Sequence, residues 1–366
     1  MPPNNGIERL VRPDLASFVG YSPCKSPDTL AGKVEVPVES IIKLDANENP
    51  YGCSPRVNRA LAAYPYVNIY PDAAQTELRK QLQKYTSVGA EHIVAGSGSD
   101  ELIDLILRLF LEPGDEVISC TPTFDMYRFS TKLCGGTMVE IPRDENFAIR
   151  VDAVKAAITK RTKVIFVANP NNPTGTLTPR RDILQILDTG LPVVVDEAYY
   201  EFSGQTVAPL VTGYANLMVL RTFSKWAGLA GLRVGYGIFP CKIAETLLTI
   251  KPPYNVNVAA LVAVSESLRD AKYLVGSVQK IITERDRMFN ELKQLAWLKP
   301  FPSYTNFIFC SVLNGDAREL QLKLQSKGII VRYFGLPFWR NGVRITVGKP
   351  EHTDALLKAL REASGK

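Results

Sequence analysis

Short apolar runs alternate with amphipathic stretches through the middle of the chain. Glu116–Cys120, Thr137–Ile141, Lys163–Ala168, Pro192–Val195, Met218–Leu220 and Val234–Phe239 are rich in Val, Ile and Leu and too short for helices. They read as buried strands. Around and between them, Gln75–Tyr85, Asp100–Leu111 and Arg181–Leu187 repeat apolar residues three and four apart, the spacing of a helix with one buried face, and Ser99 reads as the cap of the second. This alternation runs from about Thr76 to Ile250 and predicts a mainly parallel sheet covered by helices, an α/β architecture. A long helical pattern, Tyr273–Leu295, leads into a second unit. There Thr305–Ser311, Ala317–Lys327, Ile329–Tyr333, Val343–Val347 and His352–Ala363 follow in strand–helix–strand–strand–helix order, as in a small α+β domain. The N-terminal 45 residues are Pro-rich and weakly periodic. The expected division is a large domain over 46–262 and a small one over 263–366, joined by an N-terminal arm, 1–45.

Composition changes this picture in few places. With 366 residues and 46% apolar content, the chain can bury two cores. The net charge of +6 is spread over scattered Lys and Arg, which argues against a nucleic-acid surface and suits anionic small molecules. No stretch approaches the ~18 to 20 consecutive apolar residues of a membrane span. Met1 to Gly6 lacks the apolar core of a signal peptide, and no Arg- and Ser-rich transit segment is visible. The expectation is a soluble intracellular protein, cytoplasmic, or in the plastid stroma if a transit peptide has been removed. Cys24, Cys53, Cys120, Cys134, Cys241 and Cys310 form no Cys-x-x-Cys pair, so reduced thiols are expected and a zinc site is not. The two histidines, His92 and His352, belong to no motif, which weighs against histidine-based hydrolysis, phosphotransfer or metal chemistry.

The candidate chemistry gathers where the strands end. Lys225 closes Arg221-Thr222-Phe223-Ser224-Lys225, after the run Leu217–Leu220, and is followed by a glycine-rich stretch carrying Arg233. A lysine amine can form a Schiff base with an aldehyde cofactor, and hydroxyls with an arginine can hold its phosphate. Alone, this segment fits equally an ordinary strand-to-loop turn with a solvated lysine. Two more strand ends bear on that choice. Asn169-Pro170-Asn171-Asn172-Pro173-Thr174-Gly175 follows Lys163–Ala168, and Asp196-Glu197-Ala198-Tyr199 follows Pro192–Val195. Ligands of open α/β sheets bind beyond such carboxyl ends. An amide, a carboxylate, a phenol and an amine brought there together are the parts for holding a pyridoxal phosphate ring.

With Asp45–Gly52, Tyr70-Pro71-Asp72, Gly98–Glu101, Pro122–Tyr127, Ser303–Phe307 and Val343–Gly348, these segments form an ordered set over nearly the whole chain. The set resembles the fold-type I pyridoxal-phosphate aminotransferases, class II subfamily, and most closely the histidinol-phosphate aminotransferases. The resemblance implies pyridoxal 5′-phosphate linked to Lys225, Asp196 paired with the pyridine nitrogen, and Asn172 and Tyr199 on its phenolic oxygen. It implies a phosphate site made by Ser99 and Asp100 at a helix start with Thr222, Ser224 and Arg233. Phe124 would stack on the ring; related enzymes often have Tyr there, so only stacking carries over. Tyr70 would reach in from a second subunit, making a homodimer with shared sites. Arg344 would clamp the carboxylate of glutamate or 2-oxoglutarate, Arg332 the phosphate of histidinol phosphate, and Tyr21 and Asn47 of the arm would contact substrate. Glu197 reads as structural. The implied reaction is transamination between histidinol phosphate and 2-oxoglutarate in histidine biosynthesis. An aromatic amino acid aminotransferase, a decarboxylase of a phosphorylated amino acid and a non-catalytic cofactor-binding regulator are the competing readings.

Overall fold

The structure is a computed structural model that describes residues 6–16, 18, 20–26, 29, 34, 36–335 and 341–363. The large sheet contains β2 (Ile93–Gly96), β3 (Glu116–Thr121), β4 (Thr137–Pro142), β5 (Thr162–Ala168), β6 (Val193–Asp196), β7 (Leu217–Thr222) and β8 (Gly235–Ile238), in the order β2-β8-β7-β6-β5-β3-β4. From β4 to β7 every neighbouring pair is parallel. The mainly parallel expectation therefore holds, with an exception at one side, where β8 runs antiparallel to both β7 and β2. The reason is local. The link from β7 to β8 carries only the 3-10 turn Ala230–Leu232 and no helix to cross the sheet, so the chain turns back.

Burial on both faces explains the continuous apolar runs. Val164, Phe166, Val194, Met218 and Leu220 face one core with helices Ser99–Phe110 and Cys241–Ile250. Their neighbours Ile165, Val167, Val193, Val195, Leu217 and Val219 face the other. Each such side chain contributes roughly 1.5 to 3 kcal/mol on burial. Helix Ser99–Phe110 forms because Leu102, Ile103 and Ile106 recur on its inner side. Ser99 is not its cap, contrary to the sequence expectation. Gly98 holds the cap position, and Ser99 lies inside the first turn.

The second sheet has the order β1-β11-β12-β10-β9, with β1 (Ile42–Leu44), β9 (Leu298–Pro300), β10 (Phe307–Val312), β11 (Ile329–Tyr333) and β12 (Gly342–Thr346). The expected strand–helix–strand–strand–helix order is present, and β1 and β9 extend it. β1 pairs parallel with β11, Ile42 opposite Ile329 and Leu44 opposite Val331, so an N-terminal strand completes a C-terminal sheet. The long helix spans Ala271–Leu292. On β11 and β12, Arg332 stands directly opposite Arg344.

Candidate active site

The carboxyl ends of β3, β5, β6 and β7 open into a cavity of about 250 Å³. β3 and β5 are neighbours, but β4 lies outward beyond one and β6 beyond the other. That reversal of strand order is where open α/β sheets bind ligands. Phe124 follows β3, Asn172 follows β5, Asp196 ends β6 and Thr222 ends β7, with Ser224 and Lys225 just after. All of these line the cavity, as do Tyr199, Tyr21 and Asn47. Ser99, Asp100, Arg233 and Arg344 complete its wall. Two sequence candidates lie elsewhere. Tyr70 is 77% exposed and stacks on Tyr254 at 4.4 Å. Arg332 lines an adjoining cleft, its Nη2 donating to the Ser22 carbonyl at 2.7 Å.

The two groups at the centre have opposite perturbations. Burial, and next the positive charge of Arg344, lowers the Lys225 amine to about 8, and its Nζ donates to the Ala46 carbonyl at 3.1 Å. Burial raises the Asp196 carboxyl to about 6, while hydrogen bonds from the Tyr127 hydroxyl (2.7 Å) and the Ala198 N–H (3.1 Å) oppose the rise. A lysine near neutral and a buried carboxylate able to hold a cation suit acid–base work on a bound ring.

Asn172 and Tyr199 line the same cavity. Arg344 Nη1 donates to Asn172 Oδ1 at 2.6 Å, which leaves the Asn172 NH₂ to face the cavity. Asn47 Nδ2 donates to the Tyr199 hydroxyl at 2.8 Å. Asn47 sits at φ 56°, is 1% exposed and accepts from Thr346 Oγ1 at 3.1 Å. Both ends of its side chain are engaged inside the protein, and the residue also lines the cavity. Arg344 also donates to the Asp45 carbonyl, while its Nε is buried without a partner among the described residues.

An anion cradle lies at the far wall. No side chain caps helix Ser99–Phe110, and Glu101 instead accepts from the Ser97 N–H at 2.6 Å. The first N–H groups of the helix are left for an anion. Thr222 Oγ1 lies 3.0 Å from Ser224 Oγ, and Arg233 Nη2 donates to Asp100 at 2.8 Å. A Cβ at Gly98 would lie 2.6 Å from Arg233 Nη2, and one at Gly235 would lie 2.6 Å from the Ser99 nitrogen. Only glycine permits walls this close.

The family described as aminotransferase class I and II matches residues 39–363. The chain is 53% identical, over 97% of its length and 98% of the relative's, to a histidinol-phosphate aminotransferase of Dehalococcoides mccartyi. The chain belongs to the histidinol-phosphate aminotransferases, within the class I and II aminotransferase family. A tobacco histidinol-phosphate aminotransferase, named as chloroplastic, is 44% identical over 97% of this chain and 86% of its own. The crystal structure of the histidinol-phosphate aminotransferase of Sinorhizobium meliloti, in complex with pyridoxal-5′-phosphate, superposes with a TM-score of 0.87 at 26% identity, covering 96% of each chain.

Within this histidinol-phosphate aminotransferase fold, several functional side chains had no usable sequence signal. Tyr127 is fully buried, stacked on Phe166 at 4.5 Å and edge-on to Phe124 at 5.7 Å. Its place one helical turn after Phe124 was visible, but not its partner Asp196, 69 positions away. Arg221 ion-pairs with Glu197 at 2.9 Å beneath the cavity, and its guanidinium lies 3.6 Å from the centre of the Tyr200 ring. That pair ties the ends of β6 and β7 together, the structural role expected of Glu197. His92 is also structural, its Nδ1 2.7 Å from the Phe239 carbonyl. All six cysteines are free.

Proposed function

We propose that this chain transfers an amino group between L-histidinol phosphate and 2-oxoglutarate, giving imidazole acetol phosphate and glutamate in L-histidine biosynthesis. Pyridoxal 5′-phosphate is the cofactor, held at Lys225. The observation that carries this reading is a single cavity in which a lysine amine, a buried carboxylate and an anion cradle meet from separate strand ends. The residues present fit the cofactor. Lys225 is the amine for its aldehyde, Asp196 the counter-charge for its ring nitrogen, Asn172 and Tyr199 the donors for its phenolic oxygen, and Phe124 an apolar wall for its ring. The helix start at Ser99-Asp100, with Thr222, Ser224 and Arg233, takes its phosphate. When bound, pyridoxal 5′-phosphate supplies an aldehyde for covalent attachment and a ring that accepts electron density.

The protein's own part is proton movement and orientation. Lys225 Nζ takes a proton from the substrate Cα, which a value of about 8 permits near neutral pH. Asp196, ionised above about 6, holds the cationic ring nitrogen. Arg344, which lines the cavity, receives the carboxylate of glutamate or 2-oxoglutarate on its guanidinium. Like charges directly opposite across two strands repel. The Arg332–Arg344 pair therefore favours a substrate that brings an anion between them. The engagement of Arg332 by Ser22 supports a second reading, an aromatic amino acid aminotransferase that uses no phosphate.

We assign the cofactor cradle to residues 46–262 and the closing wall to 1–45 with 263–366, Tyr21 contributing from the arm. The exposed side chains of Tyr66, Val67, Ile69 and Tyr70 support a homodimer in which Tyr70 reaches the partner's cavity. No helix among the described residues is long and apolar enough to cross a membrane. We place the reaction in the cytoplasm or the plastid stroma. The deciding experiment adds histidinol phosphate, phenylalanine, tyrosine or glutamate to the cofactor-loaded protein and follows the cofactor spectrum. Fast half-reactions are expected with histidinol phosphate and glutamate, and borohydride reduction with peptide mapping should label Lys225. A label elsewhere overturns the site; a preference for phenylalanine over histidinol phosphate selects the second reading.

A further inference from the structure

A phenol has one proton to donate, and the partner it accepts from decides where that proton points. Tyr199 accepts from Asn47 Nδ2 at 2.8 Å, so its own proton is left for the cavity. The orientation of the Asn47 amide is in turn dictated by Thr346. The Thr346 hydroxyl accepts from the Asn47 backbone N–H at 3.0 Å and donates to Asn47 Oδ1 at 3.1 Å. With the amide flipped, the proton of this buried hydroxyl would lose its acceptor, a cost of about 1 kcal/mol or more. Asn306 adds a third tie, its Nδ2 donating to the Asn47 carbonyl at 2.9 Å. Asn47 thus connects β12 and the segment preceding β10 to a side chain that follows β6.

The geometry points to Asn47 as a positioning residue that, locked by Thr346, compels Tyr199 to donate its proton into the cavity, toward the phenolic oxygen of the bound cofactor. This inference rests on the pyridoxal-phosphate reading and goes beyond it, because it assigns direction to a hydrogen bond through a residue that need not touch the cofactor. Arg344 does the same for Asn172 by occupying its Oδ1, so the two donors face one acceptor from two independently fixed sides.

The test reverses the polarity without changing the shape. In Asn47→Asp the carboxylate accepts the Tyr199 proton, and the phenol presents lone pairs to the cavity instead. Apo-protein is reloaded with pyridoxal 5′-phosphate, and the bound chromophore is titrated with pH by its absorbance. Donors to the phenolic oxygen favour its anion, so losing one raises the titration midpoint. The expected rise for Asn47→Asp is about one pH unit or more, a ten-fold change in the ionisation constant. The dissociation constant of pyridoxal 5′-phosphate, read by fluorescence quenching, should weaken several-fold. Asn47→Ala leaves Tyr199 free to rotate and should give a smaller rise. Thr346→Val unlocks the amide and should also raise the midpoint, which keeps the idea testable if Asn47→Asp does not fold. In a Tyr199→Phe background none of these changes should add to the shift. A shift from Asn47→Asp that survives undiminished in that background is a bare charge effect and overturns the proposal. So does an equal shift from Asn47→Ala and Asn47→Asp, or no shift in any variant. Wild-type protein that forms no chromophore overturns the cofactor reading instead.

Discussion

Asp196→Asn should make the empty protein more stable while making it a poor holder of the cofactor. The Asp196 carboxyl is 5% exposed and is raised to about 6, against an ordinary value of 3.8. A folded value above the unfolded one means that stability is fully present below about 3.8 and is lost as pH rises through about 6. The gap of about two units corresponds to about 3 kcal/mol at pH 8. Asparagine carries no charge and so escapes this cost. It has only one acceptor oxygen, however, for the donors Tyr127 and Ala198, and losing one hydrogen bond costs about 1 kcal/mol. The net expectation is a gain of about 2 kcal/mol at pH 8, a few degrees in Tm, with a crossover at about pH 4.5 below which wild type is the more stable. Thermal melts of both apo-proteins between pH 4 and 8 measure this directly. Adding pyridoxal 5′-phosphate should raise the Tm of wild type far more than that of the variant, because stabilisation by a ligand follows its affinity. A variant less stable at pH 8, or a Tm difference that does not change with pH, would refute the claim that Asp196 is held charged at a cost for the sake of a cation.

The arginine pair should divide the two halves of the reaction. Arg332→Ala should raise KM for histidinol phosphate by about 30- to 150-fold, the worth of a charge-assisted contact of roughly 2 to 3 kcal/mol, with little change for glutamate. Arg344→Ala should hurt glutamate most but also slow the other half, because Arg344 orients Asn172, and steady-state kinetics on both substrates reads this out. Gly235→Ala should push back the start of helix Ser99–Phe110 and crowd β7, because its Cβ would meet the Ser99 nitrogen at 2.6 Å and the Arg221 carbonyl oxygen at 2.8 Å. Its affinity for pyridoxal 5′-phosphate should fall at least ten-fold by fluorescence titration, while its affinity for pyridoxal, which lacks the phosphate, should change little.

The two halves of this molecule were legible to different degrees. Strands β3, β5, β6 and β7 stand out in the sequence because a strand buried on both faces reads as a short, near-continuous apolar run with its polar residues at the ends or few within it, a local property. The chemistry at their ends was legible for the same reason, since Asn172, Asp196 and Lys225 each follow such a run directly. The composition of the Lys225 segment indicated an amine beside an anion site before any contact was known. Other features depended on groups far apart in the chain. That β1 would cross to β11, that Tyr127 would hold Asp196 and that Asn47 would aim Tyr199 are pairings across long sequence separations. No local propensity encodes a partner, and an asparagine in a loop looks the same whether it meets solvent or a phenol. By itself, the sequence determined which residue types stand at the ends of the strands. Only the tertiary structure decided which oxygen accepts from which nitrogen, because hydrogen-bond direction depends on what surrounds both groups once water is excluded.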